Sequence, residues 1–327
     1  PHAHPLIDDM IRYDSRSQCF IGLMENGIFK PQYENTELED YVKHYSREDI
    51  AAATQQRLEE VVCQLVSGLS GSNSRLAVAG GVFANVKLNQ RIAALDNIDE
   101  VYVFPNMGDG GLSVGAAWLA HEQQTGSKPR AMESAFLGNE ITDKDAQATL
   151  AKSGFTYERV SDIETRVAEL LAQGEVVVRV KGRMEFGPRA LGNRSILYKA
   201  SDASVNEWLN ERLCRSEFMP FAPATLIEYA KDHYYGLDLG ATSAEYMTMT
   251  FDCTEEMKRQ SPAAVHVDGT ARPQLVSSGR CPDFHRLLSK YYTLTGRSSV
   301  INTSFNMHEE PIVRTSDDAI RAFSSSS

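Results

Sequence analysis

The chain has 327 residues, 42% of them hydrophobic and 24% charged, with a formal net charge of -11 at pH 7. This length suggests two domains, each with its own core, in a soluble globular protein of ordinary composition. The acidic excess argues against a nucleic-acid surface, and no apolar run approaches the roughly 18 residues needed to span a membrane. The polar start PHAHPLIDDMIRYD is no signal peptide. Cys19, Cys63, Cys214, Cys253 and Cys281 lie far apart without a CxxC pair, which fits a reduced cytoplasm better than a disulfide framework or a zinc site.

Residues 1–45 are irregular, rich in Tyr, Asp and Glu, and show no clear period, like the middle of a domain. Ser46 with Asp49 has the form of a helix start, and Ile50, Leu58, Val61, Val62, Leu65 and Leu69 then recur at helical spacing up to Gly71. Two units of one form follow. Leu76 to Ala79 reads as a strand, Gly80 and Gly81 as a turn, and Val82 to Ala94 as a helix that includes Asn85. Val101 to Phe104 is again a strand, Gly108 to Gly111 the turn, and Leu112 to Gln123 a helix. A strand, a glycine turn and a helix start leave backbone N–H groups pointing outward, a natural cradle for phosphate, although such turns use glycine for packing as often. As a pair they suggest an actin-like nucleotide-binding half. Asp109 in the GDGG turn reads, on its own, as a helix N-cap.

Residues 126–140 mix Gly, Ser, Lys and Pro and read as a linker between a first domain, 1–125, and a second, 141–327. In the second, Thr142 to Lys152 and Ile163 to Gln173 are expected helices, the latter opened by a Ser161 and Glu164 capping box and closed by Gly174. Val176 to Val180 and Ser195 to Ala200 are expected strands, and Val205 to Arg215 a helix. Further strands are expected at Tyr246 to Phe251 and Ser299 to Asn302, and helices at Phe284 to Leu294 and Asp317 to Phe323, giving an α/β sheet domain.

Between the two strands the charge reverses. From Arg179 to Arg194 the sequence carries four Arg, one Lys and one Glu, a formal +4 over sixteen residues. Gly182, Gly187, Pro188 and Gly192 impose bends that let several cations converge from one loop, and Arg offers a planar fork for phosphate oxygens where Lys offers a point charge. The alternative is a solvated basic turn. Phe218, Pro220, Phe221 and Pro223 form an apolar wall beside Arg215. His266, Asp268 and Arg272 surround a turn at Gly269. Asn302, Thr303, Ser304 and Asn306 follow a buried strand, where short polar side chains either hold a small ligand or cap the next element.

The strings KGRMEFGPRALGNRSIL from Lys181, EFMPFAPA from Glu217, HVDGTARPQ from His266 and INTSFN from Ile301 resemble the NodU/CmcH family of O-carbamoyltransferases. AGGVFANVKLNQRI and GDGGLSVGAA, upstream, look like the first domain of the same family. The resemblance implies a partial actin-like, Kae-type ATPase lobe followed by a YrdC-like α/β domain. It implies a cytoplasmic enzyme, with a homodimer as a possible assembly, that uses carbamoyl phosphate and ATP with Mg2+ to form carbamoyladenylate. The carbamoyl group would then pass to the hydroxyl of a small-molecule acceptor. Lys181, Arg183, Arg189, Arg194 and Ser304 would be the catalytic set. Gly80, Gly81, Asn85, Gly110, Asn193, Ser195, Arg215, His266, Arg272, Asn302, Thr303 and Asn306 would hold substrate and nucleotide. In the family the Asp of the GDGG motif is a ligand of Fe2+ or another divalent metal, together with histidines of an HxxxH motif. Asp109 matches, but no HxxxH occurs here, so the chain looks like a fragment beginning partway through the first domain.

Two other functions remain open on sequence. A threonylcarbamoyl-type tRNA modification enzyme would need a threonine pocket and a basic tRNA face, against which the charge speaks. A nucleotide-binding module without turnover is consistent with an incomplete first lobe.

Overall fold

The computed structural model describes residues 7, 11–22, 24–25, 28–29, 43–128, 132–212, 221–307 and 309–325. It has a mixed α/β fold in two compact units, one ending at Leu76 but taking in Lys87–Val101, the other made of Ala77–Val86 and the chain from Tyr102. Among the described residues no helix is long and apolar enough to cross a membrane.

In the first unit, β1 (Ile11–Asp14) and β2 (Cys19–Gly22) form an antiparallel hairpin, and β3 (Met24–Glu25) and β4 (Ile28–Phe29) a second one. Strands this short leave no readable alternation, which is why the sequence shows no period here. Helix α1 (Arg47–Leu69) starts where expected: Ser46 accepts a hydrogen bond from the Asp49 amide, and Ala53, Val61, Val62 and Val66 face inward. Arg57 Nε donates to the Ile11 carbonyl at 2.8 Å and ties the helix to the first hairpin. Strand β5 (Ser74–Val78) leads to a 3-10 turn at Gly81–Ala84, then to α2 (Val86–Ala93) and β6 (Ile98–Val103). The helix expected from Val82 is therefore broken at Asn85, whose extended backbone ends the tighter turn.

The second unit, which also takes in the turn at Gly81–Ala84, includes α3 (Leu112–Thr125), which buries none of its residues fully. Strand β7 (Glu140–Ile141) and α4 (Asp143–Ser153) follow, the helix held at its start by a reciprocal Thr142 and Asp145 box. Helix α5 (Ile163–Gln173) is capped by Asp162, which accepts from the Thr165 amide. The expected Ser161 and Glu164 box does not form, because the Glu164 carboxylate is engaged by Lys181 and Arg286. Gly174 closes α5 in the left-handed conformation, as expected.

The elements that carry the sheet are β8 (Val177–Val180), β10 (Arg194–Lys199), β11 (Ala222–Leu226), β14 (Gln274–Val276) and β15 (Ser299–Ser304). Their order is β14-β11-β15-β10-β8, with β11 parallel to β14 and every other pair antiparallel. Strand β9 (Gly182–Arg183) pairs with β7, and the two-residue strands β12 (Phe251–Asp252) and β13 (Thr270–Ala271) pair with each other. Helices α5 and α6 (Val205–Arg212) precede β11; α7 (Ala230–His233), α8 (Ala241–Ala244), α9 (Glu255–Gln260), α10 (Pro282–Thr295) and α11 (Ser316–Ser325) complete the chain. Val167, Ala168 and Leu171 of α5 and Phe284, Leu287, Leu288 and Tyr291 of α10 pack on Leu197, Ala224, Leu226, Val276 and Val300 of the sheet. Cutting any of these leucines to alanine would cost about 2–5 kcal/mol.

Two expectations need correction. Tyr246 to Phe251 is not a strand: only Phe251 and Asp252 are paired, Met247 has φ +57, and the amides of Tyr246 and Thr248 both donate to the Ser243 carbonyl. The alternating Met and Thr there are all buried in a turn rather than split between two faces. Strands β11 and β14 went unrecognised, since each is short and Pro223 or Pro273 interrupts or precedes it, removing a ladder donor. Residues 134–141, at the end of the expected linker, run beside 182–186: Gly138 donates to Met184, Met184 to Asn139 and Phe186 to Ala135, and Ala135 is only 2% exposed.

Gly192 has φ +112, and a Cβ there would meet the Phe284 ring at 2.6 Å. Gly192→Ala is therefore expected to lose about 1–3 kcal/mol in urea titration, whereas Gly279→Ala, with open space around it, should stay within about 0.5 kcal/mol.

Candidate functional site

The basic stretch forms a loop between β8 and β10 that is organised around its one acid. Glu185 Oε1 accepts from the amides of Leu191, Asn193 and Arg194 at 2.7, 2.8 and 3.2 Å, and the residue is only 4% exposed. Arg194 has no exposed surface. Its guanidinium donates to the carbonyls of Lys181, Asn193, Gly182 and Asn139 at 2.8, 2.9, 3.0 and 3.3 Å. Arg179 bonds the Gly192 carbonyl and Asn193 Oδ1, and lies over the Phe284 ring at 5.6 Å. Two of the four arginines are thus internal scaffold.

The expectation that Arg194 holds an anion is accordingly corrected, because its two terminal nitrogens are already spent on backbone. Asn193 is likewise occupied, its Nδ2 donating to the Arg183 carbonyl at 2.9 Å and its Oδ1 taken by Arg179. Ser195 is buried in β10, where Oγ accepts from the Gly192 amide.

Lys181 Nζ lies 2.6 Å from Asp283 and 3.1 Å from Glu164, in the first turns of α10 and α5. The bond from Lys181 holds the Asp283 carboxyl below its ordinary range. Burial would raise Glu164, but bonds from Arg286 and Lys181 outweigh it and leave the group lowered. Arg183 is exposed, with Nε 3.3 Å from the Gly138 carbonyl.

Arg194 Nε is also buried without a partner, but its terminal nitrogens are bonded, and there Arg189 and Arg272 differ. Arg189 Nε and Arg272 Nη1 are buried and have no hydrogen-bond partner, and neither side chain pairs with a carboxylate among the described residues. Burial pushes Arg189 below its ordinary range; for Arg272 burial and then the charge of Arg189 push it down to about 9. Both side chains are half-buried, and the charge of Arg189 is felt at Arg272. Sequence spacing did not connect the two, and a polar bridge runs between the segments that carry them. Asn302 Nδ2 donates to the Ala190 carbonyl at 3.2 Å and to Gln274 Oε1 at 2.7 Å, while Gln274 Nε2 donates to the Leu191 carbonyl at 2.7 Å. Glu185 and Gln274 were missed as site residues. Only the lone acid among cations offered a sequence signal for the first, and none existed for the second.

The other expected residues serve mainly as turns. Ser304 Oγ donates to Asn306 Oδ1 at 2.7 Å, and Asn306 Nδ2 donates to the Met307 and Glu310 carbonyls. Thr303, beside Ser304, is half-buried. Asp268 Oδ1 accepts from the Thr270 amide and hydroxyl, and His266 Nδ1 lies 3.2 Å from the same hydroxyl, so this turn is internally bonded and leads to Arg272. Arg215, Phe218 and Pro220 lie outside the described residues. Phe221 and Pro223 are buried at β11 and do not form a ligand wall.

The glycine turns are real and adjacent. The Gly80 amide donates to the Met107 carbonyl at 2.6 Å, Gly81 begins the 3-10 turn that ends at Asn85, and a Cβ on Gly110 would meet Asn106 Nδ2 at 2.6 Å. The second turn also touches the basic loop: a Cβ on Gly187 (φ +125) would lie 2.7 Å from the Pro105 carbonyl, and the Phe104 and Phe186 rings are 6.2 Å apart. Asp109 is exposed, and Gly108 rather than Asp109 stands at the cap position of its short helix. Among the described residues there is no group of three or more His, Cys, Asp or Glu that could hold a metal ion.

Comparison with known proteins gives two matches to family models: residues 24–118 match one described as Carbamoyltransferase N-terminus, and residues 168–327 one described as Carbamoyltransferase C-terminus. The chain is 35% identical to an uncharacterized protein of Methanocaldococcus jannaschii, over 90% of this chain and 50% of that one. It is 33% identical to nodulation protein NolNO of Sinorhizobium fredii, over 84% of this chain and 41% of that one. The chain spans about half the length of the curated relatives it matches. A crystal structure of T.kodakarensis HypF is 20% identical and overlaps 52% of this chain and 20% of its own, with a TM-score of 0.38.

Arg194→Ala should destabilise the fold by about 3–5 kcal/mol in urea titration, since four carbonyls and a buried carboxylate lose their cation, while Arg183→Ala should change little. Asp283 contributes stability that is present above its unfolded value near 3.8 and is lost as pH falls through its lower folded value. Melting temperatures of Asp283→Asn should therefore fall less steeply with acid than those of the wild type.

Proposed function

The chain belongs to the carbamoyltransferase family, and on that premise we propose that it carries the nucleotide-activating site of an ATP-dependent O-carbamoyltransferase. The observation that supports this most is the pair Arg189 and Arg272, two half-buried arginines, each with a buried guanidinium nitrogen lacking a partner and neither paired with a carboxylate among the described residues. Carbamoyl phosphate and ATP both bring phosphate oxygens, and a planar fork from each side suits such a group. In this proposal water cleaves carbamoyl phosphate to carbamate and phosphate, and a carbamate oxygen then attacks the α-phosphate of ATP, forming the new P–O bond of carbamoyladenylate as pyrophosphate leaves. A hydroxyl of a small-molecule acceptor then takes the carbamoyl group and AMP leaves. Crowded anions make charge stabilisation the main task, and no nucleophilic side chain is required.

Lys181, Arg183 and Ser304 remain proposed members of the site beside this pair. Lys181 would reach the ligand only by exchanging a bond to Asp283 or Glu164. The sheet domain is proposed to be YrdC-like, and the glycine turns at Gly80 and Gly110 to belong to an actin-like, Kae-type lobe. Mg2+ would enter with ATP. A divalent metal such as Fe2+ does not fit the described residues, in which Asp109 lacks companion ligands, so no step runs through it. The enzyme is proposed to work in the cytoplasm without nucleic acid.

Titration of ATP and carbamoyl phosphate against wild type, Arg189→Ala and Arg272→Ala tests this, with folding checked by thermal melting and AMP and pyrophosphate measured as products. Each loss leaves phosphate oxygens unpaired in a poorly hydrated place, costing about 2–5 kcal/mol, more than tenfold in affinity. Wild-type affinity in both folded variants would overturn the anion site. Binding without products would leave a nucleotide-binding module.

A further inference from the structure

Two guanidinium groups that repel each other do not hold themselves together; the backbone segments that carry them must be fixed by something else. Arg189 sits on the loop between β8 and β10, and Arg272 just before β14, the edge of the sheet. The link between those segments runs across β11. In register, Ala222 faces Asn302 and Ala224 faces Gln274, so the two amides share one face of the sheet, set diagonally across β11 with only alanines between them. Over these small side chains Gln274 reaches both Asn302 Nδ2 and the Leu191 carbonyl at 2.7 Å, and Asn302 reaches the Ala190 carbonyl beside Arg189. Both amides are 1% exposed, so water does not compete for these bonds.

We infer that Gln274 is a positioning residue for the anion site: it bridges the loop of Arg189 and the strand of Arg272, and so aims both guanidinium groups at one anion. It touches no ligand itself and acts through Arg272. This rests on the anion site proposed above. An apolar side chain of similar size at 274 fills the space but leaves the Leu191 carbonyl and the Asn302 amide each short of a partner, and the two arginines then settle apart.

The experiment is a double-mutant cycle on the full chain with ATP as the probe, comparing wild type, Gln274→Leu, Arg272→Ala and the double variant by calorimetric titration, with melting temperatures alongside. Gln274→Leu is expected to weaken ATP binding about tenfold or more, the scale seen when groups that orient ligating side chains are removed. In the Arg272→Ala background the same change is expected to add little, because the arm that it aims is gone. An equal loss in both backgrounds, or a lower melting temperature with unchanged ATP affinity, would overturn the inference and make Gln274 a packing residue. If Gln274→Leu does not fold, Gln274→Asn, one methylene too short to span the gap, enters the same cycle with the same expectation. Wild-type ATP affinity in Arg272→Ala and Arg189→Ala would instead overturn the anion site itself.

Discussion

The buried cation of Arg194 is the constraint on which the rest of the second unit depends. A guanidinium without exposed surface must find acceptors, and the carbonyls of Asn139, Lys181, Gly182 and Asn193 supply them from both sides of the loop. Glu185 balances its charge and takes three loop amides. Glu185 Oε2, Arg189 Nε and Arg194 Nε stay buried without a partner, and the loop is shaped by the bonds that Glu185 Oε1 and the terminal nitrogens of Arg194 do make. The strand ends, the Gly192 approach to Phe284 and the Gly187 approach to Pro105 all follow from that shape.

A division of labour among like residues results. Arg179 and Arg194 build the loop, Lys181 joins the first turns of α5 and α10 through Glu164 and Asp283, Arg183 is exposed, and the charge of Arg189 is felt at Arg272. Charge counting along the sequence treats these cations as equal. Burial and partners separate them, and the free pair combines one residue from the basic stretch with one from a turn more than eighty residues away.

Much of the architecture was legible because it rests on local chemistry. Ser46, Thr142, Gly174 and the spacing of Val167 and Leu171 fix helices through caps and one apolar face, and the run around Val177 announces a buried strand. The strands at Ala222 and Gln274 were not legible, being short and marked by proline, and the Met247 turn imitates strand alternation with residues that are all buried. Of the candidate site, the basic loop was legible and the partners of its side chains were not. Arg194 and Asn193 look like ligand groups until their partners are seen, whereas Gln274 looks like nothing until it is found between Leu191 and Asn302. Long-range partners decide such roles, and spacing along the chain does not carry them.

The unpaired couple of Arg189 and Arg272 has a thermodynamic consequence for the protein in any solution. Burial disfavours the charge of both side chains, and the charge of Arg189 disfavours that of Arg272 further, a load that the unfolded chain does not carry. Under the proposed anion site, small oxyanions of the medium would act as folding ligands and by mass action would raise apparent stability with their concentration. The choice between a phosphate or sulfate buffer and an amine buffer would then be a choice of reference state.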